Sequence, residues 1–377
     1  MWVSDLSLRD FRNHESTTIS LQPGVSVLLG SNGQGKTNLV EALGYLANLS
    51  SHRVSVDKAL VREGCASAFS LATIHHDTRK VDLALEIKAS GSNRAKKNGQ
   101  NIAVGELVGW LKVVLFTPED LSIIRGEPGM RRRYLDDAVV VLKPSLSQVY
   151  SEYDRVVKQR NALLKSSRSM PYSQLLDTLS GWDEPFAALA ATISHERQAV
   201  ISEIEPELQR SYAVIAPDNA VGISLESPVA KRDITRDELA DLYRSALDNR
   251  RKDEIDRGMT LVGSHRDDLE ITLNGLPGRT HSSHGEAWSL ALSLKMALAE
   301  VYRRDSSSGD PVMILDDVFA ELDAKRRATL QELVSGFEQV LVTAAVREDI
   351  PHDFVHHVFS VEKGVVTPDA TSPRSTQ

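Results

Sequence analysis

The sequence predicts an α/β fold with mixed sheets, divided in two by an inserted α-helical arm. Three observations lead there. A glycine-rich loop joins a strand pattern to a helix pattern near the N-terminus, in SVLLGSNGQGKTNLVEAL (26–43). A buried-strand pattern ending in two carboxylates, PVMILDDVFAELD (311–323), stands far downstream. Between them lies a long stretch with apolar residues at helical spacing.

The first element is a phosphate cradle. Gly30, Ser31, Asn32, Gly33, Gln34, Gly35, Lys36 and Thr37 fit G-x-x-x-x-G-K-[ST] at every required position. Val25, Val27, Leu28 and Leu29 precede them as a short buried strand; Leu39, Val40, Leu43 and Leu46 follow at helical spacing. Glycines let the backbone come close to a ligand and aim successive N–H groups at phosphate oxygens, and a helix N-terminus adds positive potential. Lys36 is expected to reach the β- and γ-phosphates of ATP, and the Thr37 hydroxyl to ligate Mg2+.

Composition bounds the rest. With 377 residues, 41% of them hydrophobic, the chain can bury a large core. A net charge of −8 gives no global positive field for nucleic acid, although local patches set the field at a binding face. The single cysteine, Cys65, builds no disulfide framework and suits a reducing compartment. The charged start MWVSDLSLRDFRNHES does not read as a signal peptide, and no apolar run approaches the ~18 residues of a membrane span. The expectation is a soluble, cytoplasmic protein.

Residues 1–124 read as strands around the loop: WVSDLSL, ESTTISL, SVLLG, AFSLATIHH, KVDLALEIKA and VGWLKVVLF, with SGSNRAKKNGQN as a polar hairpin tip. Residues 125–215 read as a helical arm. Leu146, Val149, Tyr150, Tyr153, Val157 and Leu164 share one helix face, with Ser145 and Gln148 as a capping box after Pro144. A serine-rich loop, SSRSMPYS, then leads to a second long helix marked by Phe186, Ile193, Val200, Ile204 and Leu208. Strand patterns return in 216–366, and 367–377 reads as a disordered tail.

The acidic strand completes the nucleotide site. A carboxylate at a strand tip holds magnesium and its neighbour orients the attacking water, so Asp316 is the expected metal partner and Asp317 the water-positioning group. The two motifs lie ~280 residues apart, more than a compact nucleotide-binding core needs, so the arm splits one head into two sequence halves. A third element, HSSHGEAWSLALSLKMALAEVY (281–302), opens a strong helix at Ser283-His284-Gly285-Glu286. Alone it is a well-capped helix; ahead of the acidic strand and AELD it resembles the signature loop of ABC-type ATPases. In that superfamily the loop meets the γ-phosphate held by the other subunit. Ser283, with Gly285, is the candidate for that contact.

LSLRDFRNHES (6–16), FTPEDL (116–121), RRRYLD (131–136), TLVGSHRDDL (260–269), SHGE (283–286) and ILDDVFAELD (314–323), in that order, resemble the RecF family of SMC-like ABC ATPases. The resemblance runs through nearly the whole chain except the tail. It implies an ABC-type ATPase head and an ATP-dependent homodimer that binds single-stranded, gapped or double-stranded DNA without sequence preference. With RecR and RecO it would aid RecA loading in recombinational repair and replication-fork maintenance, as a weak DNA-stimulated ATPase. It also implies that Arg12 contacts nucleotide, that Glu119 or Asp120 lies where relatives sense the γ-phosphate, and that Asp323 belongs to a loop communicating across the dimer. Two departures stand out. Ser264 replaces the usual proline before His-Arg-Asp-Asp, and Thr343 stands where many transporters place a switch histidine. With Asp317 as the shorter second acid, slow hydrolysis is expected.

Other readings are weaker. HRDDL lacks the asparagine a kinase loop requires, having Thr272 there. His352 and His356 lack a completing ligand cluster. A transporter's nucleotide-binding subunit and a non-hydrolysing ATP scaffold share the motifs and stand as alternatives. For DNA, the expected contacts are the hairpin tip, Arg94, Lys96 and Lys97, and the arm base, Arg131, Arg132 and Arg133; other basic clusters are Arg250 to Lys252, Arg303-Arg304 and Lys325 to Arg327. Few aromatics are interleaved, which favours backbone-directed contact.

Overall fold

The fold comes from a computed structural model that describes residues 1–54, 56–167, 170–230, 234–305 and 309–369. Two compact units form. One contains Met1–Leu121, Arg210–Asp218 and the described residues from Trp288 onward; the other contains Ser122–Gln209 and Asn219–Ala287.

The first unit holds two six-stranded sheets. Strands β1 (Trp2–Phe11), β2 (His14–Ser20), β4 (Ser67–His76), β5 (Arg79–Lys88), β6 (Arg94–Lys97) and β7 (Gln100–Ile102) pair antiparallel in the order β2-β1-β4-β5-β6-β7. One face of this outer sheet is buried and the other is open, so residues along β5 alternate between core and surface. Strands β3 (Gly24–Leu29), β8 (Val113–Phe116), β12 (Val312–Asp316), β13 (Gln339–Ala344), β14 (His357–Glu362) and β15 (Val365–Pro368) form the second sheet, ordered β15-β14-β3-β13-β12-β8. Its pairings are parallel except β14 with β15. Parallel strands covered on both faces need continuous apolar runs, and every residue of β12 and β13 is buried. Helix α1 (Lys36–Asn48) packs between the sheets in one core that includes Leu6, Leu28, Leu43, Leu46, Leu85 and Ile314.

The buried amide of Gln339 stitches the two sheets together. Its Oε1 accepts the Val3 N–H at 2.9 Å, and its Nε2 donates to the carbonyls of Val3 at 2.9 Å and Gln22 at 3.2 Å.

The second unit carries the short helices α2 (Leu121–Arg125) and α3 (Pro128–Leu142), then α4 (Ser147–Lys165), most of α5 (Tyr172–Ile215), and α6 (Arg236–Arg257). It also holds β9 (Val221–Glu226), β10 (Asp268–Leu273), β11 (Leu276–Pro277), α7 (Gly278–His281) and the start of α8 (His284–Arg304). Helix α9 (Ala324–Val334) returns to the first unit. Tyr153, Phe186, Ala190, Leu239, Tyr243 and Val262 share one core, which is why 219–287 groups with the arm helices, whereas the sequence pattern assigns 216–366 to the head.

Several local expectations change. SGSNRAKKNGQN is two paired strands, joined at Asn98-Gly99 where φ is 48° and 78°, as a tight hairpin turn requires. In VGWLKVVLF only Val113–Phe116 is strand, because Gly109 turns the chain at φ 90°. Pro144–Leu146 forms a 3-10 turn and α4 starts at Ser147 without a side-chain cap, so the box at Ser145 is not made. Residues 367 and 368 belong to β15, and 370–377 lie outside the described residues. His356 accepts the Val25 N–H at 2.9 Å, and among the described residues no His, Cys, Asp and Glu cluster could hold a metal. No described helix is long and apolar enough to cross a membrane.

Candidate nucleotide site and basic surfaces

The phosphate loop runs from the end of β3 into α1. Gly30 is required by close approach, since a Cβ there would lie 2.2 Å from the Val361 carbonyl oxygen. Gly35 is required by conformation, with φ 115°. Helix α1 starts at Lys36 with neither a side-chain cap nor an acidic residue in its first turn. Its first N–H groups and its dipole are therefore directed to an anion from outside. Lys36 lies buried across the loop, its Nζ donating to the carbonyls of Gly30 at 2.6 Å and Ser31 at 3.3 Å.

The two distant motifs meet. Thr37 Oγ1 donates to Asp316 Oδ1 at 3.1 Å across 279 residues of sequence. Asp316 is the last residue of β12, and β12 and β3 both pair with β13, which brings the strand tips together. Thr343 of β13 donates from Oγ1 to Asp316 Oδ1 at 2.6 Å and accepts the Asp317 N–H at 2.9 Å. One hydroxyl thus orders the Asp316 carboxylate and the Asp317 backbone. Burial pushes the Asp316 carboxyl up to about 6, opposed by the Thr343 and Thr37 hydroxyls and aided by Asp317 and Glu119. Asp317 adopts φ 51°, uncommon outside glycine and frequent at functional sites. A buried carboxylate beside a threonine hydroxyl and an anion cradle is a donor set that suits a divalent cation.

The acids of FTPEDL separate into two roles. Asp120 ion-pairs with Lys295 at 2.9 Å and accepts the Thr117 N–H at 2.8 Å. Glu119 is exposed and adds negative potential at Asp316.

Arg12 is locked. Its Nε and Nη2 grip buried Glu41 at 3.0 and 2.6 Å, and Nη1 donates to the Ala59 carbonyl at 2.8 Å. These bonds hold Glu41 ionised against its burial. Sequence reasoning passed over Arg53, exposed beside the loop, whose Nη1 donates to Asn38 Oδ1 at 2.9 Å and lies 3.5 Å from Glu41. Asn38 in turn donates to Asn13, and Asn13 to the Gln34 carbonyl, so Arg53 reaches the loop through one polar chain.

Ser283 belongs to the second unit, exposed immediately before α8. It forms a reciprocal capping box, donating its N–H to Glu286 Oε2 at 2.7 Å and accepting the Glu286 N–H at 3.3 Å. Asp323 caps α9 through the Arg326 N–H at 2.9 Å. Ser264 opens a 3-10 turn, a first position that proline also suits, so its substitution leaves the turn intact. Within that motif Asp267 is buried and accepts from Ser194 at 2.9 Å, while burial and Arg266 push His265 down to about 4.

Among the arm-base arginines, Arg131 needs correction as a DNA contact. Arg131 is buried and bidentate on Asp268, at 2.7 Å for both bonds; Arg132 donates to the Asp267 carbonyl at 2.8 Å; Arg133 alone is exposed. A guanidinium already desolvated against a carboxylate cannot serve a phosphate. Arg251, Arg303 and Arg327 are likewise engaged with nearby carboxylates. The hairpin differs. Arg94 and Lys96 are exposed, Arg94 pairing with Glu86 only at 4.0 Å, and Lys97 sits 3.9 Å over the Trp110 ring. With Arg9, which stacks 4.0 Å over Phe69, Arg94 and Lys96 line a trough of about 960 Å³ on the open face of the outer sheet.

Residues 2–367 match the family described as RecF/RecN/SMC N terminal domain. The chain is 45% identical to the DNA replication and repair protein RecF of Clavibacter sepedonicus, covering 100% of this chain and 97% of that one. It is 44% identical to that of Leifsonia xyli subsp. xyli, covering 97% and 99%. The solved structure of the recombination mediator protein RecF with ATP, in the RecFOR pathway, superposes with a TM-score of 0.89 at 26% identity, over 98% of each chain. An Smc head bound to the C-winged helix domain of ScpA shares the fold, with a TM-score of 0.56 at 15% identity over 99% and 98%.

Proposed function

The chain belongs to the RecF family of ABC-type ATPase heads, and from that premise we propose that it is an ATP-switched DNA-binding protein of replication and repair. The observation that carries this is the Thr37–Asp316 contact, which turns two motifs 279 residues apart into one site. The relatives' names place them in DNA replication and repair, and a solved relative holds ATP, which supports the reading. The transporter-subunit alternative gives way to this family membership.

ATP lies with its phosphates against the N–H groups of Gly33 to Thr37 and the Lys36 ammonium. Thr37 and Asp316 would hold Mg2+, which would supply charge neutralisation at the phosphates. Asp317, turned out of the strand by its left-handed backbone, positions the attacking water. Ser283 of a second copy meets the γ-phosphate, so two chains close over two nucleotides and open after slow hydrolysis. DNA lies on the open face of the outer sheet at Arg9, Arg94 and Lys96, held by its backbone, with Lys97 turned to the other face over Trp110. RecR and RecO act with it to aid RecA loading in the cytoplasm.

Light scattering with and without ATP and Mg2+, repeated with gapped DNA, tests this. Wild type dimerises with ATP. Lys36→Ala loses nucleotide binding and dimers together, while Ser283→Arg keeps nucleotide binding as a monomer. A Ser283→Arg protein that dimerises normally refutes the shared site.

A further inference from the structure

His14 is fully buried behind the phosphate loop, and nothing in the reading above gives it a task. Its Nε2 lies 3.0 Å from the Gly35 carbonyl oxygen. A carbonyl only accepts, so the tautomer that links the ring to the loop is the one with its proton on Nε2, donated to Gly35. On the other side Nδ1 lies 3.0 Å from Thr17 Oγ1 and 2.9 Å from the Gly364 carbonyl oxygen, to which Thr17 Oγ1 donates at 2.5 Å. The ring therefore bridges the phosphate loop to the turn between β14 and β15, 350 residues along the chain.

Gln34 is held by the same surroundings. Its carbonyl accepts from Asn13 Nδ2 at 3.1 Å and from the Gly364 N–H at 2.9 Å, and its side-chain oxygen accepts the Lys363 N–H at 2.7 Å. Two consecutive carbonyls, Gln34 and Gly35, are thus fixed, the second shared with the Leu39 N–H, which it accepts at 3.1 Å as the first bond of α1. In a trans peptide the N–H points opposite to the carbonyl, and no described peptide is cis. Fixing those carbonyls aims the Gly35 and Lys36 N–H groups the other way, toward the phosphates. The seating has no slack: a Cβ on Gly35 would lie 2.8 Å from His14 Nε2, and one on Gly364, at φ 79°, 2.8 Å from the Asn13 carbonyl oxygen.

We propose that His14, backed by the Lys363–Gly364 turn, is a positioning residue that pre-aims the phosphate loop. It acts through the Gly35 peptide and touches no nucleotide itself. This inference rests on the nucleotide-binding reading of the same loop.

Calorimetric titration of the full chain with ATP and with ADP, in Mg2+, tests it. His14→Leu should weaken both about tenfold, the scale of one well-placed hydrogen bond. His14→Gln, whose amide nitrogen can occupy the Nε2 position and donate to Gly35, should stay within about twofold of wild type. A space-filling role alone would not be rescued by glutamine, so equal weakening in both variants overturns the proposal. Wild-type affinity in His14→Leu, with binding lost in Lys36→Ala, overturns it while sparing the nucleotide reading. Failure of wild type to bind ATP overturns both. Should His14→Leu not fold, Gly364→Ala probes the same link from the other end: weaker ATP binding supports the proposal and unchanged binding refutes it.

Discussion

Asp316→Asn should make the nucleotide-free protein more stable at neutral pH while removing its Mg2+-dependent turnover. The carboxyl titrates at about 6 in the fold against an ordinary 3.8, chiefly because burial disfavours its charge. Between those values the folded chain holds a proton that the unfolded chain has released. Stability therefore falls as pH rises from about 4 to 6 and stays lowered above that. At ~1.4 kcal/mol per pH unit, the buried charge costs about 3 kcal/mol at pH 7.5. Asparagine cannot ionise, and its oxygen can still accept from Thr343 and Thr37. Urea unfolding of both proteins from pH 4 to 8, without nucleotide, is the assay. The curves should nearly meet near pH 4, diverge between 4 and 6 and stay apart above that, with the variant the more stable. An Asp316→Asn protein less stable than wild type at pH 7.5, or two curves parallel across the range, would refute the assignment of a desolvated carboxylate at the strand tip.

Two further outcomes follow from charged groups elsewhere. Arg160 is buried and bonds to Glu254 at 2.6 Å, Asp183 at 2.9 Å and Thr260 at 3.0 Å; Asp183 keeps its pair with Arg251, so Arg160→Met strands the buried Glu254 carboxylate and should cost about 3–5 kcal/mol in denaturant unfolding. Arg94→Glu with Lys96→Glu should weaken single-stranded and gapped DNA binding and flatten its salt dependence, with ATP affinity unchanged. Fluorescence anisotropy across a salt series reads that slope, and an unaltered slope removes the outer sheet as the DNA face.

The phosphate loop was legible because its chemistry is local: Gly30 through Thr37 are contiguous, and the strand and helix flanking them have their own periodicities. The acidic strand was legible for the same reason, and its partnership with Thr37 followed from chemistry that needs a carboxylate beside the hydroxyl. Thr343 was noticed only as a missing histidine. Its actual task depends on β13 lying between β3 and β12, an arrangement no local spacing encodes. The hairpin cations were read as a loop tip because serine, asparagine and glycine mark turns. The short strands β6 and β7 are stabilised by pairing with β5 and with each other. Arg131 to Arg133 read as one basic patch, yet a helix turns successive side chains in different directions, one into the core and one to solvent.

By itself the sequence determined the cradle, the acid that faces it, the helical insertion and the family, since each rests on residue types at short fixed spacings. The tertiary structure alone decided which charges are available. Arg131 is neutralised by Asp268 from 137 residues away, Arg12 by Glu41 and Lys112 by Asp305, whereas Arg9, Lys96 and Arg94, the last with a long 4.0 Å pair to Glu86, are exposed on an open face. The physical reason is that a charge is set by its desolvation and by the distance through space to its partner, and separation along the chain determines neither.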